Sequence, residues 1–278
     1  MFKNSPINYL NTMGFLVFYS GLLLVFFVEF KLIYLVFFVF NFFWFGLSSS
    51  LFYHRAVTHK AAELHPVMEV IFLLGGTISL SGGPISWAAV HRCHHAIPDT
   101  KDDPHTPKDG RFWAYMGWVT HTDFGLVNSL KEKYCKDLLQ NKLYILFERK
   151  FMLFLPTTMY VLMLYYFFGM GAVVWGFLIA GLLSYNFHWM LIASFCHSSK
   201  LGYRRFNTKY ESRNVPWLSL YSFGESLHNN HHKYPNNFKL NSGRWEFDIS
   251  FFSVQVLEKM GLAKNISVVD FNKKNGSS

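Results

Sequence analysis

Four long apolar runs separated by polar stretches set the layout of the chain. Residues 13–29 (MGFLVFYSGLLLVFFVE) and 32–52 (LIYLVFFVFNFFWFGLSSSLF) follow each other almost without a polar break, and each is long enough to cross about 30 Å of hydrocarbon as a helix. A second pair, 151–170 and about 172–195, is joined by a glycine-containing turn. The pattern therefore predicts two transmembrane hairpins, about 13–52 and 151–195. Between them, residues 67–87 are apolar but interrupted by Glu69, Gly75-Gly76 and Gly82-Gly83-Pro84, which predicts a re-entrant or interfacial segment rather than a full span. Polar stretches flank the second pair, and 271–278 is expected to be a disordered tail. The pattern thus predicts an all-α membrane protein of four transmembrane helices and the broken segment. The short N-terminal tail carries one lysine and no small-residue cleavage site, so no removable signal peptide is expected.

Composition agrees with a membrane location, with 51% hydrophobic and only 15% charged residues. The net charge of +9 changes the picture only through its placement. Only Lys3 and Lys31 precede Arg55, and the other basic residues lie mainly in the two polar stretches, as in cytoplasmic parts of a membrane protein. Both chain ends and both polar stretches are then expected in the cytoplasm, at the bacterial inner membrane if the source is bacterial. No nucleic-acid motif accompanies the charge. Cys93, Cys135 and Cys196 form neither a CxxC pair nor an even set, which argues against a disulfide scaffold.

Thirteen histidines are the unusual feature. His54 and His59 (HRAVTH) follow the second apolar run, His91, His94 and His95 (HRCHH) the broken segment, and His197 (ASFCHSS) the fourth run; His228, His231 and His232 (HNNHH) lie near the C-terminus. In both HxxHH strings, positions i, i+3 and i+4 share a helix face, so all three imidazoles can point at one place. His54 and His59 are separated by about 140° on an α-helix, so a bent helix end or two metals is needed to reconcile them. A lone interfacial histidine is usually structural, but nine placed at one membrane face predict a metal site. A tetrahedral zinc site takes about four ligands, so nine suit two ions. The imidazole-rich set favours iron, and a two-zinc hydrolase also fits the ligand type. His65, His105, His121 and His188 lie outside these strings and are expected to be structural.

HRAVTH, HRCHHAIPDTKDDPHTP and GESLHNNHHKYP resemble the HxxxxH, HxxHH and HxxHH boxes of membrane fatty acyl desaturases. The DTxxDPH continuation, the extra histidine in SFCH and SRNVPWLSLYSFGESLHNNHH are similar to the Δ9 branch, over about residues 14–260. The resemblance implies one domain over 1–278, its four transmembrane helices capped by a cytosolic helical domain at about 88–150 and 196–265, and an O2-dependent enzyme that introduces a cis double bond into a saturated fatty acyl chain. It also implies a di-iron centre on His54, His59, His91, His94, His95, His197, His228, His231 and His232. Asp99, Asp102, Asp103, Glu225, Asn229 and Asn230 are candidates to orient those imidazoles, although the aspartates also read as a solvated turn before Pro104. Arg55 and Arg92 can bind carboxylates or face the membrane surface.

Two positions depart from the family pattern. Ala193 stands where many members have an Asn that reaches one iron through water, leaving water or Ser194 to fill that role. Ala89-Val90 stand where acyl-CoA members carry an Arg-Asp pair, which favours a phospholipid-bound chain over CoA. No flavin or haem motif is visible, so electrons are expected from an external ferredoxin or cytochrome b5-like donor docking on the basic face. The competing readings are a lipid hydroxylase on the same scaffold and a non-catalytic metal-binding or transport protein, which would place ionisable residues within the spans.

Overall fold

The computed structural model describes residues 1–198 and 200–271, with backbone only at 185–188, 190 and 191. The expected disordered tail, from 272 onward, and the His188 side chain lie outside the described residues. Asn8 starts helix α1 (Tyr9–Leu22) by accepting from the Asn11 amide, and a 3-10 turn carries this apolar run to Phe26. Helix α2 (Ile33–Leu47) continues without a break into a π-helical stretch, Ser48–Thr58. Among the described residues, three helical runs are long and apolar enough to cross a membrane: Tyr9–Phe26, Ile33–Thr58 and Lys150–Ser184. The third contains a break at Gly169, whose φ of 77° is open to glycine at little cost. The chain reverses there, at the turn expected between 170 and 172. Leu16, Val17, Phe26, Phe27 and Leu32 are exposed, as side chains meant for lipid would be.

Small and polar residues hold the apolar helices together. A Cβ on Gly171 would lie 2.2 Å from the Tyr34 ring, so only glycine permits that approach. Nearby, the fully buried Asn41 donates to the Gly176 carbonyl at 3.0 Å and accepts from the Tyr160 hydroxyl at 2.7 Å.

The broken apolar segment forms two helices, α3 (Pro66–Ile78) and α4 (Pro84–Ala96), each with proline in its first turn. His65 caps α3 by accepting from the Val67 amide, a structural role as expected. Thirteen residues make α3 about 20 Å long, too short for a span. Leu80 and Gly82, both at positive φ, turn the chain between the two helices. Glu69 is half-buried there and accepts from the Tyr144 hydroxyl at 3.1 Å.

The start of α4 has a partner from far along the chain. Glu148 accepts from the Ile85 and Ser86 amides at 2.7 and 2.9 Å and from the Ser86 hydroxyl at 2.7 Å, and it pairs with Lys131. It thereby serves two of the amides that a helix N-terminus leaves without partners. Glu148→Ala is expected to cost about 1–2 kcal/mol, read as a lowered thermal midpoint. A midpoint equal to wild type would show that α4 is anchored by other contacts.

Below the apolar helices, Leu73, Ile85, Ala88, Ala89, Leu130 and Phe147 belong to the main core, which joins α3, α4 and the helix Phe124–Tyr134. The C-terminal segment closes over it. Ala263–Lys264 pairs antiparallel with Glu63–Leu64, and the Ser267 amide bonds the Ala61 carbonyl at 2.8 Å. This clasp fixes the chain just after His59.

Candidate metal centre

The eight box histidines and His197 converge, but on two adjoining points rather than one. His54, His59, His91, His95 and His231 place one ring nitrogen each within 4.8 Å of one another, and His94, His197, His228 and His232 do the same. Each HxxHH helix serves both groups. From α4, His91 and His95 join the first and His94 the second; from helix His228–Lys233, His231 joins the first and His228 and His232 the second. The expectation that each triplet aims at one place is corrected: positions i+3 and i+4 diverge by about 100°, enough to serve neighbouring centres. The groups abut where the His95 and His232 rings stack at 4.5 Å.

HRAVTH reaches the first group through its π-helical backbone. The His59 amide bonds the His54 carbonyl at 3.2 Å, an i→i+5 bond. The wider turn brings residues five apart towards one face, which an α-helix cannot do.

The contacting nitrogens are all Nε2. That of His231 lies 3.0 Å from His54 and 2.9 Å from His95, and that of His228 lies 3.0 Å from His197 and 2.9 Å from His232. A neutral imidazole has one donor and one acceptor, so facing Nε2 atoms cannot all be satisfied by sharing protons. The Nε2 of His59 is buried without a hydrogen-bond partner. Burial and then neighbouring imidazoles push His91, His95, His228, His231 and His232 well below the ordinary histidine pKa, which leaves them neutral with a lone pair to give. Bonds of about 2.1 Å at right angles separate neighbouring donors by about 3.0 Å, against about 3.4 Å for a tetrahedron. The closest pairs here, at 2.9–3.0 Å, match donors at right angles around one ion.

Three carboxylates stand behind the rings. His54 Nδ1 is 2.6 Å from Glu225, His94 Nδ1 2.9 Å from Asp103 and His197 Nδ1 3.3 Å from Asp99. Asp103 hydrogen-bonds the His94 ring and so fixes the tautomer that presents Nε2, while Glu225 and Asp99 stand at ion-pair distance and favour the same tautomer. Burial works against ionisation of all three, yet each lies below the usual carboxylate range. His197 does this for Asp99 and His94 for Asp103; for Glu225 it is His54 and Arg55.

The other candidates behave differently. Asp102 is exposed and belongs to the solvated turn. Asn229 bonds the Phe206 amide and carbonyl, and Asn230 bonds the Leu240 carbonyl and Asn214, so both anchor surrounding loops rather than rings. Ser194 is buried, with no hydrogen bond to a histidine among the described residues. Arg55 and Arg92 both bind carboxylates, Arg55 with Glu225 and Asp248 and Arg92 with Asp137. His121 is structural, donating to the Gly117 carbonyl.

Other residues were not legible as parts of the site. Asn214 accepts from the Asn229 and Asn230 amides at 3.0 and 3.1 Å, capping the short helix that carries HNNHH. His105, expected to be structural, stacks on His94 at 4.4 Å and forms a possible third metal-binding group with His94 and Asp103. The DPH string was its only signal. Trp87 stacks on His91 at 5.0 Å, and Trp189 meets both Trp87 and His54 edge-on.

A cavity of about 360 Å³ leads to the histidines. Apolar side chains including Leu10, Phe15 and Phe18 of α1, Trp118 and Leu153 line it, together with Trp87, Trp189, His91, His197 and His228. Val90 and Ala193 face this cavity, whereas Ala89 is fully buried in the core. Ala89 is therefore closed to any head group, and Val90 offers the cavity only an apolar side chain.

The family model described as "Fatty acid desaturase" matches residues 32–239. The chain is 34% identical over 230 residues to the sn-1 stearoyl-lipid 9-desaturase of Anabaena variabilis, covering 81% of this chain and 80% of the relative. It is 34% identical over 218 residues to the sn-2 palmitoyl-lipid 9-desaturase of Nostoc sp. (77% and 74% covered). It is also 30% identical over 221 residues to the acyl-CoA C20 Delta5-desaturase of Anemone leveillei (80% and 69% covered). With histidines, carboxylates and apolar cavity assembled in one place and these matches over most of its length, the chain belongs to the fatty acid desaturase family.

Proposed function

We propose that the chain is an acyl-lipid Δ9 desaturase whose histidines hold two iron ions, five of them around one ion and four around the other. The observation that carries the reading is the apolar cavity that reaches four of the nine converging imidazoles, His91, His94, His197 and His228. When bound, the iron pair supplies the activation of O2 that removes two hydrogens from adjacent methylenes. The chain's own residues prepare that chemistry. Asp103 holds the Nδ1 proton of His94, and the charges of Glu225 and Asp99 beside His54 and His197 favour the same tautomer, so that Nε2 lone pairs face inward. Trp87 and Trp189 fix His91 and His54 while keeping water from the end of the cavity. The cavity walls hold one stretch of acyl chain against the centre, so position rather than chemical activation selects the bond.

Burial of Ala89 and the apolar wall at Val90 favour a phospholipid-bound chain over CoA. In the membrane, α1, α2 and the two helical legs either side of Gly169 make four spans in two hairpins. The α3–α4 turn is re-entrant, and the histidines and both termini are cytoplasmic. The basic residues clustered after Arg55 support this orientation. Electrons come from an external one-electron carrier.

The test is an assay of the purified, iron-loaded protein in lipid nanodiscs, reduced with dithionite and then exposed to O2, with 1-stearoyl phospholipid or stearoyl-CoA. The expected product is a cis-9 octadecenoyl chain, formed at least about tenfold faster from the phospholipid. Equal or faster reaction of stearoyl-CoA would overturn the carrier assignment. A hydroxy acyl product without a double bond would overturn the reaction.

A further inference from the structure

The acyl cavity is one approach to the histidines, and a second feature reaches them with opposite character. An open cleft of about 460 Å³ is lined by His59, Lys60, Arg92, Lys133, Lys136 and Asp137, among others. His59 belongs to the five-histidine group and packs against His91, His95 and His231 at ring separations of 5.1, 4.7 and 4.7 Å. The acyl cavity meets other members, His91, His94, His197 and His228, so the two openings address the centre through different imidazoles. A substrate lying in the cavity leaves the His59 side free.

The cleft is cationic. Four basic side chains face one carboxylate, Asp137, which is already held by Arg92 at 2.8 Å and Lys60 at 2.8 Å. Lys133 and Lys136 are exposed, and no ion pair is found for either among the described residues. The Lys133 ammonium lies over the Tyr134 ring at 5.0 Å, and neither charge is neutralised by a carboxylate, so both add to the field at the cleft.

The backbone adds a second observation. Lys60 follows His59 with φ of 53°, in the left-handed region where a chain leaving a helix usually carries glycine. A lysine there is strained and glycine would not be. The ammonium group on the cleft rim is what the lysine contributes in return.

We propose that this cleft is the docking site of the electron donor, an acidic one-electron carrier protein, and that electrons enter the centre on the His59 side. The proposal rests on the desaturase reading above. In that reaction the acyl CH2–CH2 unit gives up two hydrogens, as two electrons and two protons, and becomes CH=CH. The carrier is oxidised in two one-electron steps, two further protons come from solvent, and O2 is reduced by four electrons to two molecules of water. Two separate deliveries by a protein too large for the acyl cavity require a surface that stays open while the lipid is bound, and the cationic cleft beside His59 provides one.

The experiment uses the full, iron-loaded chain in nanodiscs, with plant-type [2Fe–2S] ferredoxin and cytochrome b5, both acidic, as probes. Binding and carrier oxidation are measured for wild type, Lys133→Glu/Lys136→Glu, Lys60→Gly and the exposed Lys259→Glu, which lies on the C-terminal helix and outside the cleft. At about 20 mM salt the double reversal should weaken binding of the productive carrier at least about tenfold, and the difference should fade towards about 0.5 M salt. Lys60→Gly should weaken binding several-fold with its thermal midpoint unchanged or raised. Lys259→Glu should bind as wild type. Anaerobic reduction by dithionite followed by O2 bypasses docking, and the double variant should then form as much double bond per iron pair as wild type.

Wild-type binding of neither carrier would overturn the proposal. So would equal binding by the double variant at low salt, or an equal loss in Lys259→Glu. Failure of the desaturase reading itself would look different, as dithionite-reduced wild type forming no double bond.

Discussion

Replacing Arg55 by methionine is expected to destabilise the protein by about 3–5 kcal/mol, a large share of the 5–15 kcal/mol typical of a folded domain. Arg55 is 1% exposed, in the π-helical stretch between two box histidines. Its Nε donates to Glu225 at 2.9 Å, one terminal nitrogen to both oxygens of Asp248 at 2.8 and 2.9 Å and to the Phe238 carbonyl at 2.7 Å, and the other to the Phe223 carbonyl at 3.1 Å. Methionine keeps much of the volume and none of these bonds. Two buried carboxylates then lose their cation, and the uncompensated charge dominates over lost packing. The measurement is thermal unfolding of the detergent-solubilised protein by size-exclusion chromatography. Arg55→Met should leave little monodisperse protein, and adding Asp248→Asn should recover part of it by removing one stranded charge. A thermal midpoint within a few degrees of wild type would show that the carboxylates find other partners.

The second large effect falls on chemistry rather than folding. His231→Ala should reduce desaturation by more than about a hundredfold and lower the bound iron from two ions per chain towards one, because His231 sits nearest to both His54 and His95 in the five-histidine group. Removing an imidazole at an already crowded junction strands no buried charge, so the protein should still purify as wild type does. Glu225→Gln should give a milder loss, about 10–100-fold, since the amide keeps the contact to His54 but not the charge. Asp102→Asn, on the exposed turn, should leave activity unchanged. Iron analysis and product yield on the same preparations check the order. Equal activity in His231→Ala and wild type would remove His231 from the centre.

What the sequence made legible follows the range of the interactions involved. The apolar runs, HRAVTH, the two HxxHH strings and the histidine of SFCH are local patterns, and they led to the helices and to all nine converging histidines. That HRAVTH would work through i→i+5 turns was not legible, because no residue in it marks a π-helix. Nor was the splitting of each triplet between two groups, which depends on how α4 and the His228–Lys233 helix face each other. Asp99, Asp103 and Glu225 were named as ring partners, but adjacency to histidines in sequence also suggested Asp102, Asn229 and Asn230. Only the fold separates those that face the rings from those that anchor loops. Glu148 and Asn214 cap helices from 62 and 15 residues away, and nothing local marks either. Span ends were displaced as well: the first helix begins at Tyr9 rather than 13, and the second runs on through Thr58, because its π-helical end is polar yet buried by the cap.

The most direct test of the central claim is the fatty acid profile of a desaturase-deficient host expressing this chain, read by gas chromatography with mass-spectrometric location of the double bond. The account predicts a new cis-9 monounsaturated acid that appears only in air and is absent with His231→Ala. An unchanged profile from cells whose membranes hold the iron-loaded wild-type protein, with a reduced carrier present, would contradict it.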